Sequence, residues 1–261
     1  MKGSFLTTFL VLALLGMNLP AFGQGNPQNQ RDEQGRRQGS WQGTYPSGRV
    51  RYQGQFIDDR PTGTFRYFHN DGSLRAELFH TPGNDTVSAV YFHRNRQRMA
   101  LGQFVNNQRV GPWRFFSDMG VKLAENNYEN GALQGKSVTF FPGGAIAETV
   151  EYMHNEKDGA WIQYFEDGSI RLTTTYSQDK LNGPFKLFNQ NGKLLLEATY
   201  CKSLPDGTWK FFSDQGELEK EAVYKAGALV YETIYIERET EITIPLKPAG
   251  APSEDVFRSP F

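Results

Sequence analysis

Apolar and polar positions along this chain follow a ruler. Gly39, Gly63, Val87, Gly111, Gly135, Gly159, Gly183 and Gly207 succeed one another at a constant 24 residues. Nine residues after each lead stands a second glycine, at Gly48, Gly72, Gly120, Gly144, Gly168, Gly192 and Gly216, with Arg96 in its place in the third copy. Large rings keep the same register. Trp41, Phe65, Trp113, Trp161, Phe185 and Trp209 hold the third position, and Phe68, Phe92, Phe116, Phe140, Tyr164, Phe188 and Phe212 the sixth. A terminal aromatic closes the copies at Phe56, Phe104, Tyr128, Tyr152, Tyr176, Tyr200 and Tyr224, with Phe79 as its offset counterpart in the second copy. So many columns in one register define a repeat array.

Each unit reads as a β-hairpin. The first strand carries the Trp or Phe and the aromatic pair. The second runs from an aliphatic residue (Leu74, Ile146, Ile170, Leu194, Leu218) to the terminal ring, and turns such as Asn70-Asp71-Gly72 and Glu166-Asp167-Gly168 join the two. Glycines this frequent exclude helices. The aliphatic residue and the terminal ring lie an even number of residues apart and are expected to share a face, with Glu77, Glu125, Glu197 and Glu221 on the opposite, wetter one. The third and sixth positions have opposite parity, which leaves two arrangements: apolar residues on both faces, or a bulge that realigns them. Loops of about six residues between hairpins imply an all-β fold, an elongated antiparallel meander of about eight stacked hairpins. Two strands per copy would add roughly 10 Å each time, and stability would be nearly additive along the array.

The flanks differ in composition. Residues 1–23 read as a secretory signal peptide, with Lys2, an apolar run from Phe5 to Leu15 and the small-x-small site Ala21-Phe22-Gly23. The polar segment 24–38 reads as a disordered spacer, the repeat array spans 39–230, 231–246 is expected to be a closing edge strand with an acidic face, and 247–261 a disordered tail. The single cysteine, Cys201, excludes an internal disulfide, and no cysteine follows the cleavage site to take a lipid. An exported product, periplasmic or secreted, is therefore expected.

The unit Gly159, Trp161, Tyr164, Phe165, Gly168, Ile170, Tyr176 resembles the bacterial variant of the MORN repeat, and the resemblance covers about residues 39–230. It implies stacked hairpins used as interaction scaffolds, some near membranes. Some bacterial members carry the label of antitoxin, so an antitoxin or immunity-like role is one alternative. The hairpins also resemble choline- and wall-binding repeats, and rows of Trp and Tyr stacking on sugars make a glycan-binding module a second alternative. The copies are not uniform: the third has Val87 and Arg96 for its glycines, and the fifth has Ser137 for the ring, so a groove along the rings would be interrupted there.

Chemistry is sparse. His69, His80, His93 and His154 fall at unrelated positions without metal-ligand spacing. Neither a G-x-S-x-G elbow nor a phosphate loop occurs, and Cys201 carries no nucleophile signature. The expectation is no enzyme activity, no cofactor and no metal. A net charge of -1 gives no reason to expect nucleic acid. One local feature stands out: His93-Arg94-Asn95-Arg96-Gln97-Arg98 replaces the glycine turn, with Arg109 one strand later. Arg94, Arg96, Arg98 and Arg109 are thus the candidate binding residues, for forked contacts to a phosphate or carboxylate. The expected partner is a protein or envelope component, with glycan and anionic lipid as alternatives.

Overall fold

The structure, a computed structural model, describes residues 28–236. The signal peptide, the start of the spacer, the end of the closing strand and the tail lie outside the described residues. Twenty-one strands, each antiparallel to its neighbours, form one open meander without a helix among the described residues. Copy two shows the unit: Arg60–Phe68, a turn, then Leu74–His80. In the turn the Gly72 N–H donates to the His69 carbonyl at 2.9 Å and the His69 N–H to the Ser73 carbonyl at 2.9 Å, with Gly72 at φ 90°. That is a three-residue loop closed by a residue in the left-handed region, as the Asn-Asp-Gly sequence demands. Copy three keeps this turn without its glycine. The Arg96 N–H donates to the His93 carbonyl at 2.9 Å and Arg96 itself takes φ 68°, so the loop keeps its regular form with one strained residue.

The six-residue loops expected between hairpins are two-residue turns, except for residues 81–85 between Leu74–His80 and Thr86–Phe92. Asn106 and Asn107 sit at φ 50° and 61°, His154 and Asn155 at 51° and 74°, Lys202 and Ser203 at 51° and 67°. Two successive positive φ values match the twist of the flanking strands. The chain re-enters the sheet at once and then bulges at the leading glycine, which is at φ 117° in Gly159, where the register slips between Val150 and Tyr152. Val87 cannot take that conformation cheaply, and the junction before it, from Ala76 opposite Tyr91 to His80 opposite Val87, runs without a slip.

A second bulge settles the parity question. Phe68 faces Leu74 while Tyr67 faces Ala76, so the thirteenth residue of the copy, Arg75, is extra. The same slip separates Tyr164 opposite Ile170 from Gln163 opposite Leu172. In consequence the third and fifth positions point inward, as Phe65, Tyr67, Trp113 and Phe115 do, whereas the sixth, Phe68 or Phe116, is only half-buried. The aliphatic residue does not share the inner face with the terminal ring: Ile170 is 42% exposed and Leu172 two residues on is 0% exposed. Phe79 likewise points outward at 52% exposure, and His80 takes the terminal-ring column, edge-on to Phe65 at 5.3 Å. On the inner face Phe65 lies over Gly54 and Trp113 over Gly102. A Cβ on Gly102 would meet the Trp113 ring at 2.3 Å, which is why no larger residue stands there.

The inner face divides into two hydrophobic clusters, one from Phe56 to Leu133 and one from Val150 to Ala222, joined through Tyr152. The outer face carries a ladder of cross-strand ion pairs at the expected glutamates: Arg66–Glu77 at 2.8 Å, Arg114–Glu125 at 3.1 Å, Lys186–Glu197 at 3.1 Å and Lys210–Glu221 at 3.7 Å. Exposed pairs of this kind contribute little stability and fix register and solubility instead.

The N-terminal flank departs from expectation. Within the spacer Gln30–Arg31 pairs with Arg37–Thr44, and the Asp32 carboxylate closes the loop by accepting from the Gln34 and Arg36 N–H groups at 3.0 and 2.9 Å. Side chain to backbone bonds order a segment that has no apolar residue to bury. The last described strand is Ala228–Ile234, exposed throughout, with Glu232 as its one acidic residue, 3.7 Å from Lys220. The acidic residues expected to shield this edge fall outside the described residues.

A candidate interaction groove

The repeat carries a lid column two residues before each leading glycine, invisible in the pattern of rings. Arg37 lies 3.9 Å from the Phe56 ring centroid, Arg109 5.0 Å from Trp113 and 5.2 Å from Tyr128, and Lys157 5.0 Å from Tyr176. Leu133 and Leu181, in the same column, are buried. Long stems and guanidinium planes cover the rings that a single-layer sheet would leave wet.

Arg109 is therefore explained by the repeat. It donates to the Tyr128 hydroxyl at 3.2 Å and faces Phe104 across the sheet, six residues along Arg98–Val105 from Arg98, roughly 20 Å. The structure does not bring it together with the other three arginines. Arg94 forms an ion pair with Asp71 of the preceding turn, Arg96 and Arg98 are exposed, and the turn is tied to the next copy by His93 Nε2 to the Phe116 carbonyl at 2.9 Å and Asn95 Nδ2 to the Asp118 carbonyl at 2.7 Å.

A concavity of about 610 Å³ opens instead over copies one and two. Its floor is aromatic, from Tyr52, Phe56, Phe65 and Tyr67, with Phe56 to Phe65 at 5.0 Å and Tyr52 to Tyr67 at 6.1 Å between centroids. Arg37, Arg51, Arg75 and His80 line it as well. One column loses volume here, as His80 stands where the other copies have Phe or Tyr, while Gly43, where the next three copies have an inward ring, is covered by the Tyr52 ring, which a Cβ on it would meet at 2.2 Å. The bulge then aims the arginines. Arg51 and Arg75 are the extra residues of copies one and two, the position held by Met99 and Leu123 in the next two, and a bulge redirects its side chain.

Charge in the groove is one-sided. Arg37 is matched by Asp59 at 2.8 Å, and among the described residues Arg51 and Arg75 have no carboxylate within ion-pair distance. Arg51 lies 5.6 Å from the Tyr52 ring centroid. Burial, reinforced by the neighbouring Tyr52 and Tyr91, holds the Tyr67 hydroxyl well above its ordinary range, against the pull of Arg75 and Arg51. Burial pushes Tyr91 up to about 12 and lowers His80 below its usual value. His80 Nε2 is buried without a hydrogen-bond partner. The groove thus offers a neutral imidazole, tyrosines and two unmatched guanidinium groups around an apolar floor. Sequence reasoning missed Arg51 and Arg75, although they stand 24 residues apart in one column.

Residues 157–178, 181–202 and 205–226 each match the family model described as MORN repeat variant. These three copies are MORN repeats. Repeats of this family serve interaction with proteins or membranes. The remaining copies of the array share the period and the hairpin. No curated protein matches the chain. Among solved structures, S. aureus TarM is similar at 17% identity over 37% of this chain and 19% of that one, with a TM-score of 0.29. The TcdB2-TccC3 complex is similar at 8% identity over 70% of this chain and 14% of that one, with a TM-score of 0.20. The chain spans less than a fifth of either protein, and likenesses of that size carry nothing over to it.

Proposed function

We propose that the protein is an exported, non-enzymatic MORN-repeat scaffold that holds a protein partner of the cell envelope in the groove over copies one and two. The observation that carries this reading is the concavity itself, an aromatic floor rimmed by two arginines without acidic partners. Export rests on the leader pattern of residues 1–23. The glycan alternative needs rings open to stack on sugars, and Trp113, Trp161 and Trp209 are at most 5% exposed. The test is a pull-down from envelope fractions with residues 24–261 as bait, wild type beside Arg51→Glu/Arg75→Glu. A single protein retained by the wild type and lost from the double variant supports the reading. Glycan in place of protein, or equal retention by both baits, defeats it.

A further inference from the structure

Resting on that reading, we propose that the groove takes an extended acidic segment with an aromatic side chain between two carboxylates. Arg51 and Arg75 stand on strands separated by Arg60–Phe68, two sheet spacings or roughly 10 Å apart. An extended peptide alternates its side chains and advances about 3.3 Å per residue, so carboxylates four residues apart share a face with the residue midway between them and span about 13 Å, within reach of the two arginine stems. A ring midway between them reaches Tyr52, the half-buried ring of a lining whose Phe65 and Tyr67 are already covered, within a concavity of about 610 Å³. Forked guanidinium to carboxylate contacts supply orientation, and the floor supplies apolar burial. His80 lines the same concavity, edge-on to Phe65 at 5.3 Å. A membrane surface fits less well, because the floor lies within a concavity that a flat bilayer does not enter.

The probe is the fluorescein-labelled peptide Ser-Asp-Glu-Phe-Asp-Glu-Ser, titrated by anisotropy into residues 24–261. Saturable binding is expected, weakened about tenfold or more in Arg51→Glu/Arg75→Glu and by a comparable factor when serine replaces phenylalanine in the peptide. Arg94→Ser/Arg96→Ser/Arg98→Ser is expected to bind as the wild type does. Circular dichroism and melting of each variant separate lost binding from lost fold, and Arg51→Gln/Arg75→Gln repeats the test without charge reversal. Equal affinity of a folded double variant, absence of saturation at millimolar protein, or binding to vesicles of phosphatidylserine and phosphatidylcholine with the peptide ignored would each overturn the assignment. If the envelope pull-down still yields a protein while the peptide fails, the peptide chemistry falls and the scaffold reading stands. A peptide that binds beside an empty pull-down upholds the groove chemistry and removes the envelope partner.

Discussion

Two halves of one repeat array meet at copy five, and they are built differently from the joint between them. On either side the inner columns are dry: Phe65, Leu78, Trp113 and Phe115 before it, Trp161, Leu172, Phe185 and Leu196 after it, none more than 2% exposed. Between Leu133 and Val150 no hydrophobic residue is buried among the described residues. The same columns hold Ser137, Thr139 and Glu148 there, continuing into Gln163 and Thr174 of copy six. Gln163 donates to the buried Glu148 carboxylate at 3.2 Å, while Ser137 Oγ, Gln163 Oε1, Thr174 Oγ1 and Trp161 Nε1 have no partner. Elsewhere the indole is satisfied, as Trp113 and Trp209 donate to the Gln103 and Thr199 carbonyls at 3.2 and 3.1 Å. Backbone pairing is continuous through the joint, but the hydrophobic stabilisation is not. In a nearest-neighbour array such an interface is the weak one, so the two halves are expected to behave as separate cooperative units.

The largest expected effect isolates one unit. Trp113→Ala removes a ring packed against Phe104, Phe115 and Tyr128 and is expected to cost about 3–5 kcal/mol. Denaturant unfolding followed by hydrogen exchange should show the loss in residues 56–133 alone, with protection in 150–222 unchanged. A uniform loss would show that the array is one unit.

Closing the joint tests the same comparison from the other side. Glu148→Leu/Gln163→Leu exchanges a buried polar pair for apolar contact and is expected to stabilise by about 1–2 kcal/mol and to merge the two transitions. Glu148→Leu alone leaves Gln163 without its partner and should gain less. Two transitions persisting in the double variant would place the weakness elsewhere.

Relief of local strain should be smaller and confined to the first unit. Arg96→Gly removes a side chain from a left-handed backbone position and is expected to gain about 1 kcal/mol, visible as a shift of the first transition only. The smallest effect is on acidity. Burial lowers the pKa of His80, and burial followed by Arg94 lowers that of His69, so in the folded state both are neutral where the unfolded chain begins to take protons. Their contribution is present above pH 6.5 and is lost as pH falls below it, so the first unit should weaken from pH 7 to 5. His80→Tyr, which restores the column's usual residue, should blunt that slope in a melting series.

Residue by residue, legibility followed locality. The period, the Asn-Asp-Gly turns and the exposed glutamate column were readable, because each depends on residues adjacent in sequence or on strict alternation. The groove was not. Arg51, Met99, Ala147 and Glu219 occupy one bulged position and share no chemistry, so nothing in them announces that alternation fails there. The two-residue turns were equally hidden, since Gln178-Asp179 and Lys202-Ser203 are not residues that select positive φ by themselves. Arg109 illustrates the converse error: a charged residue beside a charged turn in sequence, but at the other end of its hairpin in space.

What the chain alone determined is the unit and its count: glycines where the backbone must turn left-handed, rings at a constant spacing, charges on the wet face. What only the tertiary structure decided is which rings face inward and which arginines meet. One extra residue per hairpin reverses the parity of everything after it, and that insertion costs no characteristic side chain. It is enforced by the pairing of neighbouring strands, where the ring of one copy needs the small residue of another beneath it.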